Sequence, residues 1–276
     1  MQSSNNNLKQ ASVIISYYKN IQNLEIILLA LNNQTANGSF EVIISEDDDA
    51  EETVRFIDQQ KLVLSFPLLH VSQADKGFRK CKALNSSLAL ATTDFIIFID
   101  GDCVPHEKLV EEYINAKRNG RVLYGRRIML SEKISSQLLK NKKISSLNFF
   151  NLFITGSKRI EEGLYLKNII PQRFKKKDSG RLLGCNMGIL KSDLIAINGF
   201  DEDYSAPGGG EDSDIEWRLQ ALGSIEFYSM KYRAIVYHLY HEERLTTAME
   251  IKMLTIVEQK KQEGFFICKN GLQKLS

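Results

Sequence analysis

The sequence predicts a single α/β domain whose central sheet is mostly parallel and flanked by helices. Over residues 11–102, short β-prone apolar runs alternate with segments of helical periodicity, the pattern of strand, crossover helix and parallel strand. One run, Phe95-Ile96-Ile97-Phe98-Ile99, is apolar throughout and therefore reads as a strand buried on both faces. It ends on two carboxylates, Asp100 and Asp102, separated by Gly101. That places them at the carboxyl edge of the sheet, where open α/β folds bind ligands.

The elements follow in order. Val13-Ile14-Ile15-Ser16 is the first strand, and residues 21–31 carry apolar side chains at helical spacing. Glu41-Val42-Ile43-Ile44-Ser45 is the second strand, running into Glu46-Asp47-Asp48-Asp49. A helix covers 51–60, and Leu68-Leu69-His70-Val71 is a third short strand. Residues 80–91, with Ala83, Leu84, Leu88 and Ala91 on one face, form the helix that leads into the aspartate strand. Beyond it the alternation loosens. Val122-Leu123-Tyr124-Gly125 is a strand, and 131–180 is a long insertion of mixed helical pattern with basic clusters. Residues 246–262 read as an amphipathic helix that covers the core, pairs with another subunit or lies on a membrane.

The expected organisation is a flexible start at 1–10, a domain at 11–245 and a helical tail at 246–276. The domain is expected in two halves, 11–102 and 103–245, with the basic insertion 131–180 inside the second. A chain of 276 residues with 43% hydrophobic and 25% charged residues can bury a full core. A net charge of +2 gives no reason to expect nucleic acid as a partner. No apolar run approaches the roughly 18–20 residues of a membrane span, and the polar start lacks a signal-peptide core. The expected location is therefore cytoplasmic, with any membrane contact peripheral and at the inner face. Cys81, Cys103, Cys185 and Cys268 are widely spaced and read as reduced thiols.

Two carboxylates at one strand end repel each other unless a cation sits between or beside them. Asp100 and Asp102 are thus candidate ligands of a divalent metal in an enzyme handling a phosphorylated substrate; the alternative is that they are ordinary turn residues. No G-x-G-x-x-G follows the first strand and no G-x-x-x-x-G-K-[ST] loop is present, which argues against dinucleotide and kinase-like sites.

Taken together, the segments resemble the family 2 glycosyltransferases of the A-type fold. The resemblance is carried by the opening strand with its loop at 13–20, by Glu41 to Asp48, by Lys82-Ala83-Leu84-Asn85 through Ala91, and by the D-x-D of Asp100-Gly101-Asp102. Downstream it continues through Gly184-Cys185-Asn186-Met187-Gly188, Asn198-Gly199-Phe200-Asp201-Glu202 and Gly208-Gly209-Gly210-Glu211-Asp212. The last block is also similar to a segment of β-1,4-galactosyltransferases and chondroitin polymerases, with Pro207-Gly208 standing where those have Trp-Gly.

The resemblance implies that 11–102 is the nucleotide-binding half and 103–245 the acceptor and catalytic half, and it implies a role for each group. Tyr17 or Tyr18 would pack near the base of a UDP-sugar, and Glu46 or Asp47 would accept a hydrogen bond from the uracil N–H. Asp102 would hold Mn²⁺ or Mg²⁺, with Asp100 reaching the ribose or a metal-bound water across Gly101. His241 would be the last metal ligand and His238 a further or supporting one, an imidazole set that favours Mn²⁺. Asp75, Arg79 and Lys82 would lie in the loop contacting the diphosphate, Arg79 as a fork and Lys82 as a point charge. Asp212 would be the general base of an inverting transfer and Glu211 an acceptor-binding partner.

From Lys158 to Arg181 there are eight Lys or Arg against three Asp or Glu, interleaved with Phe149, Phe150, Phe153 and Phe174 nearby. This is either a solvated face or a contact for an anionic or lipid-linked saccharide acceptor, or for an anionic membrane, in surface polysaccharide or lipopolysaccharide synthesis. The competing functions are a non-catalytic nucleotide-sugar-binding protein and a sugar-phosphate nucleotidyltransferase. The latter would carry a glycine-rich, arginine-containing loop where this chain has Ser16-Tyr17-Tyr18-Lys19-Asn20.

Overall fold

A computed structural model describes residues 8–167, 182–206, 210–242 and 247–275. The first half alternates as its periodicity predicts: β1 (Ala11–Tyr17), α1 (Ile21–Asn32), β2 (Phe40–Glu46), α2 (Glu51–Lys61), β3 (Leu68–Val71), α3 (Lys80–Leu90) and β4 (Phe95–Asp100). The second half holds β5 (Cys103–Pro105), α4 (Leu109–Ala116), β6 (Arg121–Tyr124), β7 (Arg126–Met129), α5 (Glu132–Asn141), α6 (Phe149–Ile154) and β8 (Met187–Leu190). It closes with α7 (Lys191–Ala196), α8 (Glu211–Ala221), β9 (Glu226–Ser229), β10 (Ile235–His238) and α9 (Thr247–Glu263).

The large sheet runs β3-β2-β1-β4-β8-β6-β9. Its first four strands are mutually parallel, β8 is antiparallel to both β4 and β6, and β9 is parallel to β6. Both faces are covered. Along β4, Phe95, Ile97 and Ile99 enter one apolar cluster with α1 and α4, while Ile96 and Phe98 enter a second with α3 and α8. Full burial of each such side chain contributes about 1.5–3 kcal/mol, which explains why the run can carry no polar residue until it reaches the sheet edge.

A smaller sheet, β5-β10-β7, was not anticipated from the sequence. Its strands are three or four residues long and include Pro105, Arg126 and Arg127, so neither length nor alternation marks them. It matters because β10 pairs antiparallel with β5 in the register His238↔Cys103, which brings the histidine strand beside the aspartate turn.

The tail packs onto the domain. Met253 and Val257 of α9 are buried in the second cluster, and Lys260 reaches Asp201 and Asp203. The four cysteines are free and buried. No helix among the described residues is long and apolar enough to cross a membrane. Residues 1–7, the basic stretch Arg173-Phe174-Lys175-Lys176-Lys177 and Pro207-Gly208-Gly209 lie outside the described residues.

Candidate active site

The turn after β4 is set by backbone approach. Gly101 donates its N–H to the Ser16 carbonyl at 2.7 Å, and a Cβ on Gly101 would stand 2.8 Å from that oxygen. Only glycine permits β1 and the turn to come this close. Asp100 and Asp102 then diverge to different partners.

Asp102 meets the histidines. His238 Nε2 and His241 Nε2 lie 3.4 and 3.3 Å from the same oxygen, Oδ2, and the two rings are 5.0 Å apart. Leu239 N–H donates to the Asp102 carbonyl at 2.8 Å, fixing β10 against the turn. Burial works against ionisation of Asp102, but the hydrogen bond from His241 prevails and holds the carboxyl down at about 2. Burial lowers the His238 pKa, leaving a neutral imidazole suited to ligation, and its Nδ1 is buried without a hydrogen-bond partner. The Cys103 thiol also lies near, donating to Asp102 Oδ1 at 3.3 Å, and burial pushes its pKa well up, so it stays a protonated donor. Asp102 with an imidazole on either side is a donor set that fits Mn²⁺; the ligand atoms of Asp102, Cys103 and His238 lie within 4.8 Å of one another, and His241 reaches Asp102 from outside that cluster.

Asp100 instead pairs with Lys80, whose Nζ lies 2.9 Å from Asp100 Oδ1 and 3.3 Å from Glu211 Oε1. Two bare carboxylates ~6 Å apart would repel by about 3 kcal/mol at an effective dielectric of about 20, and the lysine between them offsets this. Burial opposes the charge on Lys80, yet Asp100, Glu211 and Asp212 raise its pKa well above the ordinary value. Asp212 and Glu211 open α8 after Gly210, whose φ of 118° suits glycine alone. Burial, then the neighbouring Glu211, raises the Asp212 pKa.

A cavity of about 430 Å³ lies over the ends of β1 and β2, lined by Ser16, Tyr17, Tyr18, Asp47, Phe78 and Lys80 among others. Of the residues expected around a nucleotide, Tyr17, Tyr18 and Asp47 do line it. Asp47 also accepts from Gln73 Nε2 at 2.7 Å and from the Arg79 N–H at 2.6 Å, and the others make their contacts elsewhere. Glu46 is fully buried and bonded to His70 Nε2 at 2.7 Å. Asp75 binds Tyr18 and Lys19 at 3.0 and 2.6 Å, and Arg79 turns back onto the Ala74 carbonyl, both shaping the loop before α3. Lys82 is exposed on α3. The cation that reaches the site is Lys80, two residues earlier. The signal was in the helix spacing: Lys80 precedes the buried Ala83 and Leu84 by three and four residues, whereas Lys82 shares its stripe with exposed Ser86 and Ala89.

Comparison with known proteins gives the family. The sequence model of glycosyl transferase family 2 matches residues 12–195, and that of the N-terminal domain of galactosyltransferase matches 166–242. The chain belongs to glycosyl transferase family 2. It is a glycosyltransferase, which sets aside the nucleotidyltransferase and non-catalytic readings. It is 29% identical to a chondroitin synthase of Pasteurella multocida over 82% of this chain and 24% of that protein. To a hyaluronan synthase of the same species it is 26% identical, over 77% and 23%. It thus spans about a quarter of the length of these relatives. Among solved structures, the mannosyltransferase PcManGT from Pyrobaculum calidifontis, in complex with GDP-Man and Mn²⁺, matches with a TM-score of 0.61 at 14% identity, covering 93% of this chain and 65% of that one. GalNAc-T7 with UDP, GalNAc and Mn²⁺ matches with a TM-score of 0.61 at 14% identity, covering 92% and 48%. At these identities the structures show the shared fold.

Proposed function

We propose that this chain transfers a hexose or N-acetylhexosamine from a UDP-sugar to a hydroxyl of a saccharide acceptor, with inversion, in the synthesis of a surface polysaccharide. The observation that carries this reading is the convergence at the end of β4 of two separate sets: Asp102 with His238 and His241, and Lys80 with Asp100, Glu211 and Asp212. The chondroitin and hyaluronan synthases to which the chain is similar support the polysaccharide setting.

Asp102, His238 and His241 would hold Mn²⁺, or less favourably Mg²⁺. When bound, the ion supplies positive charge against the departing diphosphate. Tyr17, Tyr18 and Asp47 would receive the nucleoside, Asp47 accepting from the uracil ring N–H. Lys80 would face the leaving oxygens as a fixed cation. Asp212 would take the proton of the acceptor hydroxyl as its oxygen bonds the anomeric carbon and the bond to the diphosphate breaks. Glu211, held by Lys80, would position the acceptor. The exposed apolar face of α6 supports a location at the surface of a membrane carrying anionic lipid.

Guanine also offers ring N–H donors, so the base is decided by calorimetry with UDP-, GDP-, CMP- and dTDP-sugars, with and without Mn²⁺. Manganese-dependent binding of one UDP-sugar is expected. Selective binding of a GDP-sugar would overturn the uracil assignment, and binding indifferent to Mn²⁺ would overturn the Asp102–His238–His241 site.

A further inference from the structure

A second cavity, of about 580 Å³, opens beside the two histidines and, among the described residues, shares no lining residue with the cavity over β1. His238 and His241 stand in its wall together with the cations Arg127, Lys158 and Arg159 and the acids Glu132 and Glu242. The acids are exposed, at the start of α5 and in the loop after β10. Arg127 is the decisive member. It lies on β7, and the pairings Val236↔Arg127 and His238↔Met129 set it one strand repeat from His238 on the same face of the small sheet. Its guanidinium is half-buried, and among the described residues its single hydrogen bond is a long contact of 3.8 Å from Nη1 to Cys185 Sγ.

No carboxylate among the described residues forms an ion pair with Arg127; Asp100 acts on its charge from farther away. A guanidinium cannot shed its charge, and removing it from water without a contacting anion is costly, so a half-buried Arg with no ion pair in a cavity wall is prepared for an anionic ligand. Lys158 and Arg159 are exposed at the rim, and neither forms an ion pair among the described residues. They are held there. Two backbone hydrogen bonds of 3.0 and 2.8 Å tie Lys158 to Met129 of β7, and Arg159 is fixed at φ 55°, a conformation that side-chain-bearing residues seldom adopt.

We propose that Arg127, flanked by Lys158 and Arg159, binds an anionic group of the acceptor, either the carboxylate of an acidic sugar or the phosphate of a sugar phosphodiester. The inference rests on the glycosyl-transfer reading, because it brings the acceptor in from the histidine side, away from the nucleotide cavity. Arg127 can meet either anion with two parallel N–H···O bonds, and the rim cations lower the energy of the chain that follows.

The test uses the full chain with UDP and Mn²⁺ present and reads ligand binding by NMR titration. The probes are an oligosaccharide of alternating uronic acid and hexosamine, the same oligosaccharide with its carboxyls reduced to alcohols, and a short sugar phosphodiester. The wild-type chain is expected to prefer an acidic probe to the reduced one by roughly tenfold or more, the size of one charged hydrogen-bonded contact. Whichever acidic probe is preferred names the source of the anion. Arg127→Gln should abolish the preference, Arg127→Lys should restore part of it, and Lys158→Gln with Arg159→Gln, both at the exposed rim, should weaken it without loss of fold. Equal binding of acidic and reduced probes would overturn the proposal. So would a fall in UDP affinity in Arg127→Gln with the acid preference kept, which would assign Arg127 to the donor. Failure of the wild-type chain to bind UDP would instead count against the donor reading, and the acid preference can be read without UDP.

Discussion

Asp212 is the residue on which the proposed chemistry turns. Asp212→Asn keeps the side-chain volume and removes the proton acceptor, so kcat should fall by about 10²–10⁴-fold while UDP affinity stays within about twofold. Turnover at the wild-type rate would remove Asp212 as the base. Burial and Glu211 raise its pKa, and Lys80 opposes them. Only the ionised carboxylate accepts a proton. Activity is therefore present above the raised pKa and lost as pH falls through it, so the acid limb of the kcat profile lies above the pH at which an ordinary aspartate titrates. Lys80→Met removes the charge that holds Asp212 down and should move that limb to still higher pH; an unmoved limb would show that Lys80 does not act on the base. Lys80 also shows how residue-level reading went astray. A cluster of four basic residues at 76–82 announces a cationic loop, but which of them points inward is decided by the phase of α3, and that phase depends on where the helix begins.

At the scale of elements, β1, β2 and β4 were legible because each centres on an apolar run, residues 13–15, 42–44 and 95–99, a pattern produced by burial on both faces, and the half-buried β3 because its apolar residues stand between helical segments. β5, β7 and β10 were not legible, because strands of three or four residues are too short to show alternation, and Pro105 in β5, Arg126 and Arg127 in β7 and His238 in β10 interrupt what apolar pattern there is. In the first turn of α8, Asp214 is fully buried and accepts from Arg218 Nε at 2.7 Å, while Arg218 Nη1 donates to the Ile197 and Gly199 carbonyls at 2.8 Å each. This pair locks α8, and with it Asp212, to the loop after α7. Arg218→Ala leaves a buried carboxylate without its partner and should cost about 3–5 kcal/mol, read as a lower midpoint in urea unfolding; an unchanged midpoint would contradict the buried pair. α6 makes the opposite demand on solvent. Phe149, Phe150, Phe153 and Ile154 are 50–69% exposed on six residues, with Lys140 and Lys143 exposed just before them. Aromatic side chains beside lysines suit an anionic lipid surface. The protein should sediment with vesicles containing anionic lipid and less with neutral ones, and Phe150→Ser with Phe153→Ser should reduce that binding. Equal behaviour of wild-type and variant chains would leave α6 without this role.

Over the whole molecule, the two halves depend differently on long-range contacts, which is why they were unequally legible. The first half, residues 11–102, is built from neighbours in sequence, β1 to β4 with their crossovers, and local periodicity suffices to draw it. The second half, residues 103–245, is assembled from segments far apart, and its last support comes from the tail. Asn198, at φ 64°, donates through Nδ2 to the Cys268 and Gln273 carbonyls at 2.7 and 2.8 Å, and its own carbonyl accepts from Leu272 N–H at 2.9 Å. Periodicity placed a helix in the tail but could not choose among its three uses, because burial of Met253 and Val257 depends on a partner surface formed by α8 and the 200–204 loop. The loop supported in this way runs toward Gly210 and the acids of α8, so a disturbance at the tail should be felt at the base and not at the nucleotide. Gly271 offers the sharpest test, since a Cβ there would stand 1.8 Å from the Asn198 carbonyl oxygen, a backbone atom that cannot swing away. Gly271→Ala should therefore lower the melting temperature by several degrees, as a loss of about 2 kcal/mol would in a chain of this size, and reduce kcat, while Mn²⁺-dependent UDP affinity stays within about twofold. A wild-type melting temperature would show that the tail does not brace the 198–204 loop, and a parallel loss of UDP affinity would show that the two halves respond as one.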